Sequence, residues 1–261
     1  MKKTVLITGA CINTGVAIVE KFAAEGYDVV FTGRNPETVA AAEAKYQQAF
    51  PEVKSKGYAV DSLTGEGTVD EAGVKTLFEA LDAEGIFIET LVLNAADQGL
   101  GMKIFENDVQ DFIRVLNTNV VWNYCLCEAA AKRMKEKKEG NIVFVNSNTA
   151  YRAIPDRIAY VTSKGAQLGM MRALTMDLGK YGIRVNAVLP GMIRTERWEK
   201  NPDFYAKVPS RFTPIGDVAD GADIADAVFY FAAHARNTTG AELVVDGGNT
   251  VQLYPVIPEE K

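Results

Sequence analysis

Three side chains in the segment NSNTAYRAIPDRIAYVTSK (146–164) could do chemistry together: the hydroxyl of Ser147, the phenol of Tyr160 and the ammonium of Lys164. Tyr160 and Lys164 are four residues apart at what reads as the start of a helix, so they share a face. Positive charge beside a phenol favours its ionised form. Such a tyrosine can pass a proton to or from a substrate oxygen. The spacing alone also fits a tyrosine packed on a sheet and a lysine reaching for water along its apolar stem. The remainder of the chain decides between the two.

Other chemistries are poorly served. His234 is the single histidine and lies far from any serine motif, which argues against Ser-His-Asp hydrolysis and against histidine-rich zinc sites. Cys11, Cys125 and Cys127 lack metal-ligand spacing and read as reduced thiols of a cytoplasmic protein. No metal site is expected. A net charge of −6 argues against a nucleic-acid surface. The basic run from Lys132 to Gly140 reads as a solvated helix end. No apolar stretch is long enough to span a membrane. The start, MKKTVLITGA, reads as a buried strand entering a glycine turn rather than as a signal peptide.

The elements that must position the three groups alternate along the chain. Strands are expected at Lys3–Thr8, Tyr27–Thr32, Lys56–Val60, Glu89–Leu93, Asn141–Val145, Ile183–Leu189 and Glu242–Val245. Helices are expected at Thr14–Ala24, Pro36–Ala49, Val69–Glu84, Ala159–Lys180 and Ala222–Ala235, with one or two across Phe105–Arg133. Asn117, Asn119 and Asn123 lie in that last span, where buried amides need partners. The strands are mostly continuous apolar runs, as expected when both faces of a parallel sheet are covered. One domain, residues 1–261, is expected, with a flap at about 192–216 carrying Trp198, Phe204, Tyr205 and Phe212.

Strand, glycine turn and helix at the start make the context of a dinucleotide site. Gly9 and Gly15 fit its first and last glycines, with Asn13 between them. The second strand ends in Gly33-Arg34-Asn35, and its only acid, Asp28, is at its beginning. An acidic residue after the strand would hold the ribose 2′-hydroxyl of NAD; Arg34 suits a 2′-phosphate instead and favours NADP. Asp61 follows the third strand and suits an adenine amino group. Asn94-Ala95-Ala96 ends the fourth, where small residues let a cofactor approach.

In this order, TGACINTG (8–15), Asp61, LNAA (93–96), Asn119, Ser147, YVTSK (160–164), LPGMIRT (189–195) and TGAELVVDGG (239–248) resemble the short-chain dehydrogenase/reductase family over almost the whole chain. The resemblance implies a doubly wound Rossmann sheet of seven strands with helices on both faces. It implies a catalytic tetrad of Asn119, Ser147, Tyr160 and Lys164. Cofactor contacts are implied for Gly9, Cys11, Ile12, Asn13, Thr14 and Gly15, for Arg34, Asp61 and Ser62, and for Asn94, Ala95 and Ala96. Asn119, Tyr160, Lys164, Pro190, Gly191, Ile193 and Thr195 complete that set. Substrate contacts are implied for Ser147, Asn148, Tyr151, Tyr160 and Trp198. The sequence departs from the family pattern at Asn13, Leu93, Ala96 and Trp122.

Carried onto this chain, Ser147 orients a carbonyl, Tyr160 exchanges the proton, Lys164 lowers the Tyr160 pKa and holds the nicotinamide ribose, and Asn119 anchors a relay water. The expected activity is NADP(H)-dependent interconversion of a carbonyl and a secondary alcohol on a small to medium molecule. A 3-oxoacyl thioester, a cyclic or steroid-like ketone and a sugar or polyol all remain open. Aromatics in the flap favour an apolar ligand; Asp97, Gln98, Arg152 and Arg194 would serve a polar one. An NAD-dependent catabolic alcohol dehydrogenase and a non-catalytic nucleotide-binding regulator are the rival readings. A homotetramer, or a homodimer, is implied by the resemblance alone.

Overall fold

β-Branched and aliphatic runs make the seven strands: β1 Thr4–Ile7, β2 Asp28–Gly33, β3 Ser55–Ala59, β4 Thr90–Leu93, β5 Gly140–Val145, β6 Ile183–Pro190 and β7 Glu242–Val245. The computed structural model of the chain describes residues 2–195, 198, 200, 202 and 211–255. The strands form one parallel sheet in the order β3-β2-β1-β4-β5-β6-β7. Every residue of β1, β4 and β5 is buried. Alternate side chains enter separate cores: Val5 and Ile7 join Phe22, Phe31, Tyr46 and Val228 on one face. Leu6 joins Leu91, Leu93, Trp122 and Phe144 on the other. Both faces being covered explains the absence of polar alternation in the sequence.

Seven α-helices among the described residues flank the sheet: α1 Asn13–Ala24, α2 Pro36–Ala49, α3 Glu71–Ala83, α4 Val109–Leu116, α5 Trp122–Lys137, α6 Ile158–Leu178 and α7 Gly221–Phe229. Their starts follow local chemistry. Asn35 caps α2 with Pro36 behind it, Asp70 caps α3, Asp108 caps α4, and Asp220 and Asp223 form a capping box on α7.

The span expected to hold one or two helices is one helical path interrupted by a π turn, Asn117–Val121, between α4 and α5. A second π turn, Tyr230–His234, replaces the end expected for the last helix. There the Arg184 guanidinium donates to the carbonyls of Phe231, Ala232 and Ala235 at 2.7, 3.3 and 3.0 Å, ending the helix from outside it. That contact comes from β6, so no local pattern announces it.

Strand order reverses between β1 and β4. Ligands of open α/β sheets bind beyond the carboxyl ends of strands at such a point. The flap expected at about 192–216 is described only in part; Phe204 and Tyr205 lie outside the described residues. Its start is fixed by a bridge between Ile193 and Ala219. Its far side is fixed by Asn249 and Gln252, whose amides donate to the Phe212 carbonyl at 2.7 and 2.9 Å.

Candidate active site

The carboxyl end of β1 runs into a turn built by close approach. Gly9 takes φ +64°, and a Cβ there would sit 2.9 Å from the Ala95 Cβ. At Gly15 a Cβ would sit 2.4 Å from the Gly9 carbonyl oxygen. Asn13 adopts φ +51°, the left-handed conformation that asparagine tolerates better than most residues. The turn therefore survives the loss of a glycine. Asn94 holds it from β4: its amide donates to the carbonyls of Thr8 and Gly9 at 3.0 and 3.1 Å. Tyr46 holds it from α2, donating to the Ala10 carbonyl at 2.6 Å, a contact the sequence reading missed.

The residues present fit a dinucleotide. Helix α1 opens on this turn with no side-chain cap and no acidic residue in its first turn, which suits a phosphate. Ile12, 67% exposed, offers apolar surface beside it. A Cβ on Gly33 would sit 2.6 Å from Cys11 Sγ. Arg34 is exposed just past β2. Its neighbour Asn35 is committed to the α2 cap, and Asp28 accepts from the Lys54 amide at the other end of the strand. Asp61 is exposed and its carboxylate accepts from the Ser62 amide at 2.7 Å; the Ser62 hydroxyl meets Thr118 at 3.2 Å. Ala95 is half-buried and Ala96 exposed at the end of β4. Gly191 passes close to Asp246, where a Cβ would lie 2.5 Å from that residue's Cβ, just after Pro190 ends β6. Ile193 and Thr195 follow, half-buried.

The four candidate catalytic residues converge beside this turn. Ser147 stands just past the end of β5, where its hydroxyl favours ionisation of the Tyr160 phenol. Tyr160 and Lys164 occupy the first two turns of α6. Asn119 sits in the π turn, the kind of ladder break that concentrates at functional sites. Its amide donates to Ser163 Oγ at 2.9 Å, and Ser163 donates to the Tyr160 carbonyl at 2.7 Å. Its side-chain oxygen accepts from the Asp97 amide at 2.7 Å.

Lys164 is enclosed by its neighbours. It is 1% exposed, and its Nζ donates to the Val145 carbonyl at 3.0 Å and to Gln167 Oε1 at 3.2 Å. The ammonium lies 5.5 Å from the centroid of the Tyr160 ring. Burial pushes its pKa down to about 7. Burial also raises the Tyr160 pKa, opposed by the Ser147 hydroxyl and by Arg157. The backbone carbonyl of Asn119 accepts from Gln167 Nε2 at 2.7 Å and Asn123 Nδ2 at 2.9 Å.

Among the expected substrate residues, Tyr151 is half exposed, and the Trp198 amide donates to the Thr195 carbonyl at 2.9 Å. Asn148 is buried and donates to Asp246 and Asn249 at 3.3 and 3.0 Å. The candidate polar contacts are engaged locally. Asp97 pairs with Arg114, Arg152 donates to the carbonyls of Asn249 and Gln252, Arg194 pairs with Asp217 at 2.6 Å, and the Gln98 carbonyl accepts from Arg157. Among the described residues, no cluster of metal-ligating side chains occurs and no helix is long and apolar enough to cross a membrane.

A family model described as enoyl-(acyl carrier protein) reductase matches residues 9–250. A 3alpha-hydroxysteroid dehydrogenase of Mediterraneibacter gnavus is 31% identical, over 94% of this chain and 96% of its own length. Among solved structures, ElxO with NADP bound is 28% identical with a TM-score of 0.85, covering 97% of this chain and 100% of that one. NAD+-bound xylitol dehydrogenase is 28% identical with a TM-score of 0.82, covering 94% and 98%. With a β1 glycine turn leading into α1, a serine at the end of β5 and a Tyr-x-x-x-Lys pair opening α6, this chain belongs to the short-chain dehydrogenase/reductase family, NAD(P)-dependent oxidoreductases acting on carbonyl and alcohol groups.

Proposed function

We propose that the protein is an NADP(H)-dependent reductase of a ketone on an apolar, ring- or acyl-bearing molecule. The convergence of the Ser147 hydroxyl, past the end of β5, with the half-buried Tyr160 phenol on the first turn of α6 carries the reading. A phenol whose pKa burial has raised is protonated at neutral pH, which is the state a proton donor needs. Ser147 donates to the substrate carbonyl oxygen and orients it. Tyr160 then delivers its proton to that oxygen as negative charge develops there; preorganised donors stabilise such charge better than bulk water does. When bound, the nicotinamide supplies the hydride. Lys164 would hold the ribose hydroxyls, Gly9 to Gly15 the pyrophosphate, Asp61 the adenine, and Ile193 and Thr195 the carboxamide.

The 2′-phosphate reading rests on Arg34, exposed past β2 with no acid at that end of the strand. Local engagement of Asp97, Arg152 and Arg194 supports a 3-oxoacyl or cyclic, steroid-like ketone over a sugar. Exposed apolar side chains on and beside α4 and α5 (Phe105 at 96%, Val109, Ile113, Tyr124) support assembly as a homotetramer. Free thiols at all three cysteines support a reducing, cytoplasmic setting.

The test is a panel of ketones and alcohols assayed with NADPH and with NADH. NADPH-dependent reduction of apolar ketones is expected, and Tyr160→Phe should lose it about 100-fold or more while still binding NADPH. Retained turnover in that variant refutes the assigned donor. Cofactor binding without turnover of any member by the wild type refutes the catalytic reading.

A further inference from the structure

Gln167 lies three residues after Lys164 and seven after Tyr160, on the same face of α6. It is 1% exposed. Its Oε1 accepts from Lys164 Nζ at 3.2 Å and from Asn146 Nδ2 at 3.0 Å. Its Nε2 donates to the Asn119 carbonyl at 2.7 Å. The orientation of the amide is fixed by chemistry, since an ammonium can only donate and a carbonyl can only accept. The Asn119 carbonyl is presented by the π turn, and Asn146 is the residue before Ser147. One side chain therefore touches Lys164 directly, the backbone of Asn119 and the neighbour of Ser147.

We propose that Gln167 is a positioning residue of the proton-transfer site: its amide bridges the Lys164 ammonium to the Asn119 carbonyl and sets how readily Lys164 carries charge beneath Tyr160. The proposal rests on the reductase reading and deepens it. The surroundings leave Gln167 as the adjustable group. From β5 come the Val145 carbonyl and the uncharged side chains of Asn146 and Ser147; from the π turn comes Asn119. On α6 itself stands Tyr160, with Arg157 acting on the phenol. The nearby acid, Asp97, is bound through its backbone to Asn119 and is paired with Arg114. An acceptor on an ammonium favours the charged form in a buried site. Removing that acceptor disfavours it, and a less charged Lys164 leaves the phenol harder to ionise.

The experiment follows the Lys164 signal by NMR of protein labelled with [ε-13C]lysine, assigned by its loss in Lys164→Met, over pH 5.5 to 10. Gln167→Met keeps the length and removes both ends of the amide. Its Lys164 titration should move down by about half a pH unit or more. Gln167→Glu restores an acceptor and should move the titration up. In the alcohol-oxidation direction, where the phenol must be ionised, the rising limb of kcat/KM against pH should move up in Gln167→Met, while KM for NADP changes less than kcat. An unmoved Lys164 titration in Gln167→Met overturns the proposal whether or not a substrate is known. Should that variant fail to fold, an unmoved or lowered titration in Gln167→Glu overturns it equally. Shifted titrations in a protein that turns over nothing sustain the bridge and refute the reductase reading instead.

Discussion

Lys164→Met tests how the site is built, because the buried ammonium should destabilise the fold in a calculable way. Burial lowers the Lys164 pKa from its ordinary 10.5 to about 7, with no acidic partner to offset it. The unfolded chain then binds a proton that the folded chain releases between those values. Stability associated with this group must rise with pH across that window. At pH 6 the charged lysine costs the fold about 4.5 kcal/mol, since each pKa unit is worth about 1.4 kcal/mol. By pH 9 the cost falls to about 2 kcal/mol. Methionine has similar length and no charge. It removes the ammonium donor from the Val145 carbonyl and from Gln167 Oε1, which keeps Asn146 Nδ2, a loss of about 1–3 kcal/mol that does not depend on pH. The assay is urea unfolding of wild type and variant from pH 6 to 9. All other titrating groups are common to the two proteins and cancel in the difference. The variant should be the more stable at pH 6, and wild type should gain on it by about 2.5 kcal/mol by pH 9. A difference that stays flat with pH, or one that moves the other way, refutes the buried-cation argument.

Arg34→Ser should raise the Kd for NADPH about tenfold or more and change NADH binding little, read by cofactor fluorescence; equal effects on both refute the 2′-phosphate role. Asn13→Gly should raise stability by up to about 1 kcal/mol, because φ of +51° suits glycine better, and thermal unfolding with and without cofactor checks it. Tyr46→Phe removes the donor to the buried Ala10 carbonyl at 2.6 Å; a loss of about 1–2 kcal/mol in denaturant unfolding and weaker NADPH binding are expected.

Much was determined by the sequence because its cause is local. Apolar runs fixed the strands, caps such as Asn35 and Asp220 fixed helix starts, and the order of glycine turn, serine and Tyr-x-x-x-Lys carried the family. Four-residue spacing placed Tyr160 and Lys164 on one face whatever the tertiary packing. What tertiary structure alone decided is where the Lys164 ammonium points and what state it holds. That depends on the Val145 carbonyl arriving from β5, on the Asn119 carbonyl offered by a π turn, and on Gln167 joining them. A pKa depends on how much water and which dipoles surround a group, and those come from segments distant in the chain. The same reason hid Tyr46 as the brace of the dinucleotide turn and Arg184 as the terminator of the last helix. Each acts through one hydrogen-bond geometry across the fold, which leaves no periodic mark in the amino-acid order.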